Sequence, residues 1–129
     1  IVFYDIPSSL PTSAFSANTW KTRYALNYKG VAYKTVWRQY PKIEPQFNQI
    51  GAAPTGKKPD GSPHFTAPVI HDPSYHYNSH IIGATIYISD STKIAAYLHA
   101  TYLDRSLLMP AGTIGRHRAF EDAVQPLIA

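Results

Sequence analysis

Apolar and polar positions along this chain fall into short blocks whose period switches between two and about 3.6. Ile1 to Asp5 (IVFYD) is an apolar run closed by Pro7 and two serines, which predicts a buried strand. A Pro- and Ser-rich loop follows, IPSSLPTSAFSA. Asn18 then reads as the N-cap of a helix running to about Lys29, with Trp20, Tyr24, Ala25 and Leu26 as a lopsided apolar face and Gly30 as its C-cap. From Ala32 to Tyr40 the chain alternates, with Tyr33, Thr35 and Trp37 against Lys34, Val36 and Arg38, the signature of a strand with one more buried side. Ile43 to Ile50 predicts a short helix stopped by Gly51.

Residues 51–68 (GAAPTGKKPDGSPHFTAP) are dense in Gly and Pro and read as a long surface loop. Pro68 to Asp72 is a third strand. Ile81 to Ile88 is a fourth, and Pro73 to His80 connects them. Ser89-Asp90-Ser91 opens a helix through Tyr102, with Ile94, Ala95, Tyr97 and Leu98 on one face. On that spacing Tyr97 and Tyr102 are core and boundary residues. After a turn at Pro110 to Gly115, a last helix begins at Ile114 and carries Pro126 near its end. The order strand, helix, strand, helix, strand, strand, helix, helix combines a βαβ unit with a hairpin and helix. It predicts an α/β fold: a thioredoxin-like αβα sandwich with a mixed, mostly antiparallel-ended sheet of four to five strands. No repeat or linker divides residues 1–129, so one domain is expected.

Composition narrows the chemistry. The absence of cysteine excludes disulfides, thiolate side chains and cysteine-ligated zinc. No apolar run approaches the roughly 20 residues that span a bilayer, so membrane insertion is not expected. The net charge of +4 comes from scattered Lys and Arg, clustered only at Lys57-Lys58 and Arg116-His117-Arg118. That pattern fits a solvated surface and gives no expectation of nucleic-acid binding. His71, His76 and His80 do not keep one face of a strand, so no metal site is expected. The composition leaves cytoplasmic and secreted locations both open.

Several segments, in order, resemble the N-terminal thioredoxin-like domain of fungal glutathione transferases related to the β-etherases. They are SANTWKTRYAL (16–26), GAAPTGKKPDGSPH (51–64), TAPVIHDP (66–73) and ISDSTKIAAYL (88–98). The resemblance covers residues 1 to about 113. It implies that Ser16 donates a hydrogen bond to the glutathione sulfur. It implies a cis-proline at Pro68 that exposes the preceding backbone to a peptide-like ligand. It implies that Asp90 and Ser91 hold the γ-glutamyl end at a helix N-terminus. Beside these readings stand plainer ones: Ser16 as a loop serine, Asp90 and Ser91 as caps, Pro68 as a requirement of the fold.

Two departures from that family shape the expected function. The family carries a second, all-helical domain that supplies most of the pocket for the electrophile, whereas this chain stops at Ala129 inside what would be its first helix. Catalysis is therefore not expected, and no cofactor is required. The connection Pro73 to Tyr87 (PSYHYNSHIIGATIY) is also longer than the family's turn. Its Tyr75, His76, Tyr77 and Asn78 pair aromatic faces with polar groups suited to a sugar. The leading expectation is thus a non-catalytic, lectin-like carbohydrate-binding module, a fungal defence protein with glycans as partners. Its expected ligand residues are Tyr75, His76, Tyr77, Asn78, Ser16, Asn18, Trp20, Pro68, Asp90 and Ser91. The alternative is a glutathione-binding fragment or relic of an etherase-type transferase, with glutathione as ligand and Ser16 as the catalytic residue. A lengthened hairpin at the sheet's edge also predicts a homodimer whose sheet continues across two chains.

Overall fold

The computed structural model describes residues 1–73 and 86–128. Its elements, in order, are β1 (Val2–Asp5), α1 (Ala17–Lys29), β2 (Lys34–Trp37), α2 (Ile43–Ile50), β3 (Gly56–Lys57), β4 (Pro63–His64), β5 (Val69–Asp72), β6 (Ile86–Ser89), α3 (Ser91–Thr101) and α4 (Ile114–Ile128). A 3-10 turn at Tyr40–Lys42 leads into α2. The main sheet has the order β2-β1-β5-β6. β1 pairs parallel with β2 and antiparallel with β5, and β5 pairs antiparallel with β6. This is the thioredoxin-like αβα arrangement that the element order predicts.

Strand period two sorts the core into two layers. Tyr4 and Val69 face one side, where they pack with Ile43 and Phe47 of α2. Phe3 and Ile70 face the other, against Ala25 and Leu26 of α1 and Ile94 and Leu98 of α3. The apolar stripe expected on α3 is therefore the one that packs. On α1 the face differs in part from expectation. Ala25 and Leu26 are buried as expected, together with Thr19, Thr22 and Lys29, whereas Tyr24 is 65% exposed and Trp20 packs on it at a tilt, 5.2 Å between ring centres. Thr19 and Thr22 can turn inward because small β-branched side chains fit the close approach of α1 to the sheet. The large rings lie along the rim.

The helix start also moves. Ser16, not Asn18, is the N-cap of α1, and the Ser16 carbonyl accepts from Trp20 N and Thr19 Oγ1, both at 3.0 Å. Gly30 (φ 64°) and Gly51 (φ 79°) end α1 and α2 in the left-handed conformation that glycine adopts without strain. The expected surface loop 51–68 contains the small β3–β4 hairpin, closed by Lys58 N donating to Ser62 O at 2.8 Å and fastened to α2 by Lys58–Glu44. The expected strand Ala32–Tyr40 shortens to Lys34–Trp37. The fourth strand is Ile86–Ser89 within the described residues.

Two buried polar groups tie the helices to the sheet and to each other. Asp72 accepts from Tyr97 Oη at 2.9 Å and from Tyr102 Oη at 2.5 Å. Burial, and then the Asp72 carboxylate, push the Tyr97 phenol well above its ordinary range. Lys29, 2% exposed, donates from Nζ to the Tyr102 carbonyl at 2.6 Å, while Arg105 donates to the Gly30 carbonyl at 2.7 Å. Each helix of the pair thus has its C-terminal carbonyls capped from the other helix or from the turn that follows it. No helix among the described residues is long and apolar enough to cross a membrane.

The inward face of α1 gives a direct test. Leu26→Ala is expected to lower unfolding stability by about 2–5 kcal/mol, as for a fully buried leucine. Tyr24→Ala is expected to stay within about 0.5 kcal/mol. Urea denaturation of both variants measures this, and equal losses would restore the Tyr24 face as the packed one.

Candidate functional site

The start of α3 is built by an unusual residue. Asp90 caps the helix, accepting at Oδ1 from Thr92 N at 2.9 Å and Lys93 N at 3.1 Å. It does so with φ 78° and ψ 125°, outside both the right-handed region and the usual left-handed helical one. Such a backbone costs on the order of 1–3 kcal/mol in a residue with a Cβ and concentrates at functional sites. The cap consumes two of the helix's unpaired N–H groups. Ser91 N–H and its hydroxyl stay without a protein partner among the described residues.

Opposite this helix start, the Ala67–Pro68 peptide bond is cis and leads into β5. Between them lies a cleft of about 320 Å³ lined by Asn18, Thr66, Ala67, Pro68, Asp90, Ser91 and Thr92. Four of the sequence-predicted positions (Asn18, Pro68, Asp90 and Ser91) therefore share one cleft. Asn18 reaches it because the helix begins two residues earlier than expected. Its side chain is not spent on a cap.

Ser16 lines an adjoining cavity of about 400 Å³ that shares Asn18, Thr66 and Ala67 with the cleft and adds Tyr40, Lys58, His64 and Phe65. Its hydroxyl makes no cap bond to α1, although Ser16 occupies the N-cap position. A serine there ordinarily satisfies the N–H of N2 or N3. Here the first-turn N–H groups and the hydroxyl together present positive dipoles to the cavity, with no acidic residue in that turn. Lys58 lies in the same cavity, and its hydrogen bond to Glu44 holds its ammonium above the usual lysine range.

Trp20 is placed differently from these four. It packs on Tyr24, and the Arg23 guanidinium sits 5.5 Å from its ring centre. Tyr75, His76, Tyr77 and Asn78 lie outside the described residues. Tyr87, from the same connection, is a sheet residue stacked on His71 at 4.8 Å. Of the three histidines considered as a metal set, only His71 is described.

The structure adds residues that sequence reading missed. Glu121, Asp122 and Gln125 of α4 form the far wall of the cleft. Lys21 of α1 pins that wall, donating to Glu121 at 2.7 Å and Gln125 at 3.1 Å across a hundred residues of chain. No local pattern announces such a contact. A larger, mainly apolar hollow of about 530 Å³ lies on the other side of Ser91 and Thr92, among Tyr24, Tyr28, Met109 and Phe120. Its polar lining is Lys21, Ser91, Thr92, His117 and Glu121.

Comparison with known proteins bears on the family and the fold. The sequence model of the glutathione S-transferase N-terminal domain matches residues 15–101. The glutathione S-transferase-like protein ustS of Aspergillus flavus is 37% identical over 112 residues, which is 85% of this chain and 38% of that protein. The crystal structure of the glutathione transferase GSTFuA3 of Phanerochaete chrysosporium superposes with a TM-score of 0.85 at 46% identity, covering 97% of this chain and 47% of the other. A glutathione S-transferase of Ceriporiopsis subvermispora, solved in complex with glutathione, gives 0.82 at 49% identity, covering 97% and 46%. The chain thus spans less than half the length of these relatives.

The two tasks of Asp90 separate by substitution. Asp90→Ala loses the cap and keeps the backbone strain, so a loss of about 1–2 kcal/mol is expected. Asp90→Gly also loses the cap but relaxes the strain, so it is expected to be clearly more stable than the alanine variant. Thermal unfolding of the two reads the difference. Equal stabilities would remove the strain from the account.

Proposed function

The chain belongs to the glutathione S-transferase N-terminal domain family, and on that premise we propose that it binds glutathione across the cleft at the start of α3 and holds the sulfur beside Ser16 as a thiolate. The observation that carries the reading is the convergence of Asn18, cis Pro68, Asp90 and Ser91 on one cleft that opens into the cavity of Ser16.

The chemistry follows from the two ends of the site. The γ-glutamyl carboxylate meets the N-terminus of α3, where Ser91 offers an N–H and a hydroxyl. An extended tripeptide spans roughly 10 Å, enough to reach from there past Ala67 into the adjoining cavity. At that end Lys58 and His64 are the basic groups available to the glycyl carboxylate. The sulfur then lies by Ser16, whose hydroxyl donates to it at the positive end of α1. A charge-assisted hydrogen bond and the helix dipole both favour the anion over the neutral thiol. A thiolate so held is the nucleophile of glutathione transfer: its electron pair forms the sulfur–carbon bond, and the leaving group departs with the displaced pair.

This reading displaces the carbohydrate one. The sugar expectation draws on Tyr75, His76, Tyr77 and Asn78, outside the described residues, and no named relative is called a glycan-binding protein. The homodimer is kept as part of the proposal, with β6 as the pairing edge, since β6 ends the order of the described sheet. A monomeric mass by light scattering at micromolar concentration would remove it.

Titration calorimetry with glutathione tests the main reading. Binding is expected to strengthen as pH rises from the depressed pKa of the bound thiol towards that of the free thiol, because the site prefers the thiolate. Ser16→Ala is expected to raise the bound-thiol pKa by about one unit, about 1.4 kcal/mol, read from thiolate absorbance, with binding at low pH little changed. Absence of binding at millimolar glutathione would sink the reading.

A further inference from the structure

α4 stands apart from the body that it walls. No residue of this helix belongs to either core cluster. Across residues 114–127 none is buried, and only Glu121, Val124 and Gln125 are half-buried. Among the described residues its side chains are tied to the rest of the chain by Lys21 alone, through Glu121 at 2.7 Å and Gln125 at 3.1 Å. The ion pair in that tie is open to water, its side chains 27% and 30% exposed.

The chain that leads into α4 changes character at one point. Met109 is buried, and its N–H donates to His99 Nδ1 at 3.4 Å. Residues 110–113 then form a turn in which Thr113 N and Oγ1 both donate to the Pro110 carbonyl, at 3.1 and 2.6 Å. Gly112 sits in this turn at φ 77° with open space around its Cα. An anchored residue, a glycine turn and a helix free of the core make a hinge and an arm. We propose that α4 is a hinged arm, latched over the cleft by Lys21, that swings as a unit about the turn at 110–113. Latched, it supplies the far wall of the cleft through Glu121 and Gln125, and one side of the apolar hollow through Phe120. Unlatched, it opens both cavities at once, because Glu121 lines both. An exposed ammonium–carboxylate contact weakens as salt screens it. Ionic strength therefore sets the share of molecules whose cleft is open. The inference rests on the geometry of the wall and holds whatever the cleft binds.

Spin labels make the test, and a chain without cysteine takes them cleanly. Ala119→Cys on α4 and Lys34→Cys on β2 place one label on the arm and one on the sheet, both at exposed positions. Pulsed electron resonance is expected to find two label distances. Lys21→Met keeps the alkyl stem and removes the ammonium. It is expected to shift the ratio of the two populations by about two- to fivefold towards the unlatched one, the scale of an exposed ion pair. Sodium chloride at about 1 M, where the screening length falls to about 3 Å, is expected to do the same to the wild type and to add little in the variant. Far-UV circular dichroism and the melting temperature are expected to stay unchanged. A single distance under every condition would make α4 a fixed wall and overturn the proposal. Two distances whose ratio ignores both Lys21→Met and salt would remove Lys21 as the latch. A shift accompanied by loss of helical signal would mean that α4 unravels in place, and the hinge would fall.

Discussion

The buried ion pair between β1 and α1 sets the frame on which the site is hung. Asp5, fully buried at the end of β1, accepts from Ile6 N at 2.7 Å and from Arg23 Nη2 at 2.7 Å. The Arg23 guanidinium lies within 6.0 Å of the ring centres of Phe3, Trp20, Tyr33 and Trp37. Two charges withdrawn from water are tolerable because they pair with each other, although Arg23 Nε has no hydrogen-bond partner among the described residues, and loss of either partner would strand the other. The pair fixes the rotation and height of α1 against the sheet. That placement brings Ser16 and Asn18, at the other end of the same helix, to the edge of β5 where cis Pro68 sits. The spacing between Ser16 and the start of α3 is thus set by a salt bridge that touches neither.

The site itself is a meeting of two helix N-termini around one strand edge. α1 contributes dipole and hydroxyl at Ser16, and α3 contributes Ser91 and the capped turn at Asp90. Both ends present positive partial charge, which suits a ligand carrying anionic groups at separate points. The small hairpin β3–β4 closes the Ser16 side, clipped to α2 through Lys58 and Glu44. The α4 wall closes the other, clipped to α1 through Lys21 and Glu121. The sheet positions the centre of the cleft, and the two surface ion pairs hold its margins.

Legibility followed the range of the interaction. β1, β5 and the inward stripe of α3 were readable because burial on one face imprints a local period, as at Phe3, Ile70, Ile94 and Leu98. Gly30 and Gly51 were readable because only the backbone conformation matters there. The face of α1 was half legible: Ala25 and Leu26 pack as expected, whereas Tyr24, apolar in its ring, stays exposed while Thr19, Thr22 and Lys29 go inward. Strands of two residues, such as β3 and β4, are too short to carry a period. Ser16, Pro68, Asp90 and Ser91 entered through family resemblance and not through any periodicity. The α4 wall of the cleft entered through neither, since its place depends on a contact between α1 and α4 that no local window contains.

The exchanged caps at the far ends of α1 and α3 have a dynamic meaning. Lys29 closes the end of α3, and Arg105, just beyond α3, closes the end of α1. Helix ends ordinarily fray one at a time at little cost. Here unwinding the last turn of either helix removes a hydrogen-bond partner from the other. The two ends are therefore coupled into a single cooperative opening unit, and their amides share one protection against solvent exchange instead of grading separately towards zero. The layer that carries both helix N-termini at the cleft therefore keeps a spacing that fraying of a single helix end does not change.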